Sequence, residues 1–351
     1  ERAGKYFGEE YIDNFIKYLV FSNGGLRERD LSHLLEANSW SALKFARCRR
    51  FFKFLIVENP HSEQWYVAHN ILVEQARNKF HHEKKGIHQV LADYFISLDV
   101  EDKVRNSELT THLMEADNKS AFLSEEAHVD FLLFQHKFLE DPSYWARWTR
   151  EVLLLLVTRK EGKAPFDYVH DLGAFLRRYY LYQQGVVIYS GLDDYYAELL
   201  KTDENEVPYD YYRLMQQFGY CYQGLGKYSE AADVLLRSME WHNRMMRHHI
   251  DHSLHSRAIG YLDIAGLYFQ AKDFDKALEA SWVALRNLEE FFTCGVDHHV
   301  QNEPFKCRLL RANIYYEKQH YEACHQELLF ANIAFHQKLS YERDLGDLYR
   351  L

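Results

Sequence analysis

The sequence has few of the residues that cross-link or interrupt a chain, with 5 cysteines and 5 prolines among 351 residues. Proline lacks a backbone donor and breaks helices, so its scarcity permits long helices. The cysteines are odd in number and scattered, and no Cys-x-x-Cys pair occurs among Cys48, Cys221, Cys294, Cys307 and Cys324. A disulfide framework of the secreted type is therefore excluded, and a reducing, cytoplasmic location is expected.

Long hydrophobic runs and targeting signals are also missing. The longest notable apolar run, residues 152–157, is far shorter than the roughly 20 residues that a membrane-spanning helix needs. No secretory signal is visible. We therefore expect no membrane partner.

No common catalytic motif is present, since G-x-S-x-G, H-E-x-x-H and G-x-G-x-x-G are all absent. A nucleotide-binding P-loop needs G-x-x-x-x-G-K-[ST], because backbone amides must surround the phosphates and the lysine must reach them. The nearest string, Gly224–Ser229, fails that spacing. We therefore predict that this chain alone has no catalytic residues, binds no cofactor and does not hydrolyse ATP.

The charge is acidic and the composition aromatic. The formal net charge of −10 argues against nonspecific binding of nucleic acid, although it permits a local basic patch. The chain contains 26 tyrosines and 23 phenylalanines, which suits long helices packed by aromatic side chains. Its length indicates two or three domains.

Residues 212–240 have the pattern of a helical hairpin. Gly219 and Ala231 are small, so two antiparallel helices can approach closely there, and Tyr222 fills the gap between them. Gly226 marks the turn. The pattern resembles a tetratricopeptide repeat, a helix–turn–helix unit that stacks into solenoids.

The hairpin pattern recurs twice, with Tyr268 and Tyr315 in the place of Tyr222, at spacings of 46 and 47 residues. The usual repeat is about 34 residues, so these repeats carry longer helices or connections. Two residues depart from the pattern: Lys272 replaces the turn glycine, and Arg311 stands where an apolar residue is usual. We predict a repeat sensor over residues 161–351, with a degenerate repeat followed by clear repeats near 212–242, 258–290 and 305–337.

The first 82 residues predict a winged-helix domain. Its expected order is three helices, a two-stranded wing and a further helix. The predicted helices are 11–21, 26–35 and 41–50, and the predicted strands are 52–57 and 65–68. A linking helical domain is expected over residues 83–160, so the predicted fold class is mainly α, a winged helix followed by an α-helical repeat solenoid.

A winged helix often binds DNA, and Ser41–Arg50 would then be the helix that reads the bases. Arg47, Arg49, Arg50 and Lys53 supply positive charge for that use. The acidic net charge of the chain and the absence of a second helix to read the other half of a DNA site argue against this use. No nucleic-acid partner is therefore predicted.

Two strings, LVFSNGGLRERDLSHLLE (19–36) and YVAHNILVEQARNKF (66–80), resemble the winged-helix module of STAND NTPases, the NLR-like class of signalling ATPases. Residues 87–95 and 105–116 resemble the linking helices of nephrocystin-like members with repeat tails. The resemblance implies a larger protein whose upstream core binds ADP or ATP, and the chain begins without Met and ends within a helical pattern. Members act in animal signalling and bacterial antiviral defence, and we favour the bacterial setting.

The resemblance also implies a role for His69. In the family, a histidine at this place reaches the β-phosphate of bound ADP and ties the winged helix to the closed core. The alternative is that His69 caps the next helix or fills the wing.

The repeats predict a ligand-binding groove. In this fold the first helix of each pair lines the groove, and aromatic anchors with Arg and Lys suit a protein or peptide ligand. The alternative is that some of these side chains only pack between repeats. The predicted ligand-binding residues are Arg213, Gln216, Tyr220, Phe269, Gln270, Lys306, Asn313 and Tyr316.

A histidine cluster invites a metal interpretation, because imidazoles four residues apart on a helix can chelate. Asp251 or Asp297 would be the further ligand. The spacing matches no recognised metal site, so a solvated helix is favoured and no metal is predicted. The histidines concerned are His248, His249, His252, His255, His298 and His299.

We predict that the chain is the regulatory and ligand-sensing part of a STAND NTPase. The repeats would bind a protein, and the winged helix would control nucleotide exchange and homo-oligomerisation of the core. The alternatives are a repeat scaffold without nucleotide control and a peptide-responsive transcription regulator.

Overall fold

A computed structural model of the chain is mainly helical, as predicted. None of its described helices is long and apolar enough to cross a membrane. The chain divides into two compact units, Glu1–Asp141 and Pro142–Leu351. The three predicted domain ranges stay a prediction. The structure describes residues 2–38, 40–124, 131–159, 166–203, 206–245, 250–293 and 303–338.

The first unit begins with helices that alternate with three short strands and ends in a run of helices. In chain order its elements are α1 (Arg2–Phe7), α2 (Glu9–Phe21), β1 (Leu26–Arg27), α3 (Glu28–Leu34), α4 (Ala42–Phe51), β2 (Ile56–Asn59), β3 (Gln64–Val67), α5 (Asn70–Lys79), α6 (Lys84–Ile96), α7 (Lys103–Glu115), α8 (Lys119–Ser124) and α9 (Phe131–Glu140).

The three strands form one antiparallel sheet in the order β1–β3–β2. Leu26 pairs with Trp65, and Ile56 pairs with Val67. Gly25 precedes β1 with φ of 92°, and a Cβ there would lie 2.5 Å from the carbonyl oxygen of Trp65, so only glycine fits. The first of the two strands predicted for the wing begins at Ile56, later than predicted, because residues 52–55 form turns.

Aromatic rings fill the core of this first unit. Phe15 and Phe45 are 1% exposed with ring centroids 6.2 Å apart, and Phe45 meets Trp65 edge-on at 5.9 Å. A buried carboxylate joins β1 to the later helices: Asp30 accepts from the Tyr94 hydroxyl at 2.6 Å and from the Arg27 backbone at 2.8 Å. Both oxygens of Asp30 are also held by the Arg27 guanidinium, which makes the burial of this charge tolerable.

The second unit consists of consecutive helices. They are α10 (Pro142–Arg159), α11 (Phe166–Arg178), α12 (Tyr182–Thr202), α13 (Tyr211–Gly224), α14 (Tyr228–Met245), α15 (Ile250–Gln270), α16 (Phe274–Thr293), α17 (Glu303–Glu317) and α18 (Tyr321–Lys338).

Three hairpins, α13–α14, α15–α16 and α17–α18, share one turn. The middle turn residue is left-handed in each, with φ of 72° at Gly226, 62° at Lys272 and 60° at Gln319. The next backbone N–H donates to the carbonyl of Tyr222 (2.9 Å), Tyr268 (2.9 Å) or Tyr315 (2.8 Å). The three tyrosines are therefore structurally equivalent, as the repeat pattern predicts.

The same turn joins α11 to α12, where the sequence predicts a degenerate repeat. Tyr180 has φ of 56°, and the backbone N–H of Leu181 donates to the carbonyl of Leu176 at 2.8 Å. Leu176 precedes Tyr222 by 46 residues, the spacing of the clear repeats. This hairpin therefore keeps the register of the later ones.

The two unusual residues of the repeat pattern have different explanations. Lys272 adopts the left-handed turn conformation in place of glycine. Arg311 is fully buried because its charge is satisfied: Nε lies 2.8 Å from Glu327, Nη1 lies 3.2 Å from Ser281, and the guanidinium covers the ring of Trp282 at 3.8 Å. The close approach of α13 and α14 is confirmed, since a Cβ at Gly219 would lie 2.8 Å from Leu235.

Candidate functional site

The most suggestive surface of the second unit is a row of side chains on the first helices of successive hairpins. We call it the diagonal row. It consists of Arg177 on α11, Tyr220 on α13, Asp263 on α15 and Lys306 on α17, and each member follows the one before it by 43 residues.

The spacing keeps the diagonal row on one helix face. The hairpin turns recur every 46 or 47 residues, whereas the members of the row recur every 43 residues. Each member therefore lies 3 or 4 residues closer to the N-terminus of its helix than the member before it. That is about one α-helical turn. Arg177 therefore lies near the end of α11, whereas Lys306 lies in the first turn of α17. The row crosses the first helices obliquely, as a continuous surface would.

The first two members of the row are in contact. The guanidinium carbon of Arg177 lies 5.5 Å from the ring centroid of Tyr220, and the same guanidinium donates to the buried side chain of Gln217. The guanidinium of Arg177 is thus held by Gln217, while Tyr220 stays 36% exposed. A fixed cation beside an exposed aromatic ring is a plausible anchor for a protein ligand.

The remaining members are linked by charge. Asp263 is exposed to solvent, but partial desolvation by its neighbours still raises the pKa of its carboxyl, and the positive charge of Lys306 opposes that rise. Burial, followed by the charge of Asp263, raises the pKa of Tyr220, while Arg177 lowers it. Asp263 makes no hydrogen bond or ion pair with any residue that the structure describes. Its carboxylate is therefore available to a cationic group of a ligand.

Only two of the eight predicted ligand residues, Tyr220 and Lys306, belong to the diagonal row. Arg213 is exposed and forms an ion pair with Asp210, the N-cap residue of its own helix, at 3.3 Å. Phe269 is half-buried, contacts Phe274 at a 5.9 Å ring separation and packs against the core between hairpins.

The other predicted residues show a mixture of exposure. Gln270 and Tyr316 are exposed, and Gln216 and Asn313 are half-buried. Tyr316 meets Tyr321 of its own hairpin at 5.9 Å. Ligand contact by all eight residues stays a prediction. The observed packing of Phe269 agrees with the alternative that some of these side chains only pack between repeats.

Sequence reasoning missed Arg177 and Asp263. Arg177 lies in a hairpin without the Gly–Tyr pattern of the clear repeats, and Asp263 stands alone among apolar neighbours. The 43-residue interval between these charged and aromatic residues was the sequence pattern that could have predicted the row. The pattern can be interpreted only when the 46-residue spacing of the hairpin turns is known.

His69 in the first unit is the exposed N-cap residue of α5. Its carbonyl accepts from the amides of Leu72 (3.0 Å) and Val73 (3.2 Å), but its side chain makes no capping hydrogen bond. The imidazole therefore neither caps the helix nor fills the wing. An ADP contact by His69 stays a prediction.

The cations of α4 are partly engaged within the first unit. The Arg49 guanidinium lies 4.7 Å from the Trp65 ring, and Lys44 lies 3.9 Å from the Tyr11 ring. Both cations cover the aromatic core. Arg47 and Arg50 are exposed.

The sequence's candidate metal ligands lie mostly outside the described residues. His248, His249, His298 and His299 are not described, and only the backbone of His252 is. His255 is half-buried beside the Phe291 ring at 5.4 Å. In the part of the chain that the structure describes, no group of His, Cys, Asp or Glu is placed to hold a metal ion.

The four described cysteines, Cys48, Cys221, Cys307 and Cys324, are buried and form no disulfide. Burial raises the pKa of the thiols of Cys48, Cys221 and Cys307 to about 12. These three are therefore unreactive at neutral pH, since the thiolate is the nucleophile. Cys294 lies outside the described residues.

No protein-family model matches the sequence, and no curated protein matches it. Among solved structures, BtubC (BKLC) from P. vanneervenii is similar at 13% identity and a TM-score of 0.40, covering 74% of this chain and 93% of that one. A STAND protein with a tetratricopeptide repeat sensor from Pyrococcus horikoshii is similar at 11% identity and a TM-score of 0.29, covering 99% of this chain. This chain spans 63% of the length of that protein. Both likenesses are distant, and neither identifies a function.

Proposed function

We propose that this chain is the regulatory and ligand-sensing part of a STAND-type signalling NTPase. In this proposal the hairpin repeats bind a protein ligand. The first unit is a winged helix that holds an upstream nucleotide-binding core closed until the ligand binds. Nucleotide exchange and homo-oligomerisation of the core then follow.

The observation that carries the proposal is the order of elements. The sequence motifs of the first 80 residues fall on helix, strand, two helices and two strands, with sheet order β1–β3–β2. This is the arrangement expected of a winged helix, and hairpins with a 46-residue register follow it along the chain. The combination supports a regulatory module joined to a repeat sensor.

The exposed surface of the wing supports a protein contact there. No residue of α5 is buried, and Ile71 on that helix is 69% exposed. Phe54 before the wing is 75% exposed, and Tyr66 on β3 is 40% exposed. Exposed apolar side chains on and beside the two strands and α5 suit a surface that packs on a partner domain.

The diagonal row supports a protein ligand for the repeats. Arg177, Tyr220, Asp263 and Lys306 combine a cation, an aromatic ring and both signs of charge on one face. Such a surface can discriminate between ligands by charge order, because a ligand with the wrong order leaves charges unpaired or places like charges together.

The decisive experiment uses the full-length protein. If the proposal holds, the protein purifies with bound ADP, and His69→Ala shortens ADP retention and raises activity without ligand, since it removes a contact made only in the closed state. His61→Ala, an exposed histidine at the tip of the same hairpin, is the matched control. A full-length protein without any nucleotide-binding core would instead support the repeat scaffold.

A further inference from the structure

The first unit contains a polar cavity that has no part in the proposed signalling role. Its volume is about 340 Å³, within the range of small-ligand sites. It lies among the end of α2, α5, α6, α7 and α9. The lining residues that matter are Arg77, Lys84, His88, Thr111, Glu115 and Lys137.

A buried hydrogen-bond chain sets the chemistry of one wall. Glu108 is fully buried and accepts from the backbone amides of Asn23, at 2.7 Å, and Gly24. Its Oε2 lies 3.2 Å from His112 Nε2, and His112 Nδ1 lies 2.7 Å from His88 Nδ1. Both oxygens of Glu108 already accept hydrogen bonds from backbone N–H groups, so Glu108 also acts as the acceptor in its hydrogen bond with His112.

The chain fixes the tautomer of His88. A neutral His112 that donates from Nε2 to Glu108 carries no proton on Nδ1, so that nitrogen must accept from His88 Nδ1. A neutral His88 then has an unprotonated Nε2. Burial lowers the pKa of His88 to about 3, so the ring is neutral at pH 7. The cavity wall therefore offers a hydrogen-bond acceptor at His88.

A second polar group of the cavity lacks a partner. Thr111 is 6% exposed, and its hydroxyl makes no hydrogen bond with any residue that the structure describes. A buried hydroxyl without a partner is destabilising, and a bound molecule that accepts or donates a hydrogen bond there would relieve that cost.

The cavity also holds one cation that is not neutralised within it. Lys84 lies 2.5 Å from Glu115, and Lys137 lies 3.2 Å from Glu115. Arg77 is oriented by a 2.7 Å bond from Nε to the carbonyl of Val20, and it forms no ion pair with a described residue. Its two terminal nitrogens remain available in a fork that suits two anionic oxygens.

We propose that this cavity binds a small phosphate, as hydrogenphosphate or a phosphate monoester. Anionic oxygens bind Arg77 and the Thr111 hydroxyl, and a ligand hydroxyl donates to Nε2 of His88. The ligand must carry both negative charge and a hydrogen-bond donor, because the site presents a guanidinium and an unprotonated imidazole nitrogen together.

Calorimetry on the full chain with two probes, inorganic phosphate and sulfate, tests this. At pH 7 phosphate carries a proton and sulfate does not. Saturable phosphate binding at least about tenfold tighter than sulfate binding is expected, since a donor-matched site penalises an analogue that lacks the donor. Ribose 5-phosphate then distinguishes a monoester site from a site for free phosphate.

Variants decide whether the binding is in this cavity. Arg77→Gln and the isosteric Thr111→Val are expected to weaken phosphate binding, whereas Lys79→Gln, the same charge change on the same helix outside the cavity, leaves it unchanged. Equal affinity for sulfate and phosphate, or binding insensitive to Arg77→Gln, would mean an adventitious ion only. No binding by the folded wild-type chain would mean that the cavity holds water.

Discussion

The guanidinium of Arg177 lies 5.5 Å from the ring centroid of Tyr220, although 43 residues separate the two in sequence. The contact joins the first helices of two successive hairpins, α11 and α13. It therefore links the degenerate repeat, which lacks the Gly–Tyr signature, to the first clear one.

The first prediction concerns this contact. A double-mutant cycle of Arg177→Met and Tyr220→Leu is expected to give a coupling energy of about 0.5–1 kcal/mol in urea unfolding. The coupling arises because the cation is held near the ring by Gln217. A coupling energy within error of zero would show that the two side chains are independent in solution.

The second prediction concerns the charge order along the diagonal row. Lys306→Met is expected to raise the pKa of the Asp263 carboxyl further, since the Lys306 charge now opposes the effect of partial desolvation. Carbon-13 NMR titration of the carboxyl measures it. Lys318→Met is the control, because Lys318 pairs with the exposed Asp275 instead. If both variants left the pKa of Asp263 unchanged, the electrostatic link between Asp263 and Lys306 in the diagonal row would be wrong.

The third prediction concerns the hairpin turns. Lys272 is left-handed, and a side chain in that conformation costs free energy that glycine avoids. Lys272→Gly is expected to raise the free energy of unfolding by about 0.5–1 kcal/mol, and Gly226→Ala to lower it by about 1 kcal/mol. Ala271→Gly, one position earlier, is the control and is expected to destabilise. Urea denaturation of the three variants checks the signs.

The hairpin register was predictable from sequence, and much of the surface was not. The equivalence of Tyr222, Tyr268 and Tyr315 is local, since the carbonyl of each accepts the backbone N–H of the turn that follows its own helix. The pairing of Arg311 is not local, because Glu327 reaches it from the next helix. The His88–His112–Glu108 chain has an i,i+4 pair in the sequence, but its third member comes from another helix. The sequence therefore predicted the helical hairpins better than it predicted the side-chain contacts between helices.

The fourth prediction concerns pH. The folded pKa of His88 is lowered to about 3 from an ordinary value of 6.5. Below pH 6.5 the unfolded chain binds a proton at this histidine and the folded chain does not, so stability falls as pH drops. The loss is about 1.4 kcal/mol per pH unit at most, or roughly 2 kcal/mol at pH 5.

Hydrogen exchange of amides in α6 and α7 between pH 7 and pH 5 measures this effect. The charged groups facing His88 are Arg77, Lys84 and Glu115, and the ring of His112 contacts it directly. His88→Asn keeps a donor toward His112 but does not titrate, so its stability is expected to change less over this range. An equal loss in wild type and variant would assign the pH dependence to other groups.

The last prediction concerns the buried charge of the third clear hairpin. Arg311 is fully buried and lies 2.8 Å from Glu327, which is 6% exposed. Removing one partner of a buried pair leaves the other charge uncompensated, and the usual cost is about 3–5 kcal/mol. Arg308 also contacts Glu327, at 3.0 Å, so Arg311→Met is expected to cost about 3 kcal/mol. Adding Glu327→Gln is expected to restore part of that loss, because the carboxylate that lost its partner is removed.

Lys318→Met, which breaks a pair with an exposed partner, is expected to cost less than about 0.5 kcal/mol. If urea unfolding gives Arg311→Met and Lys318→Met the same small effect, the Arg311–Glu327 pair is solvated rather than buried.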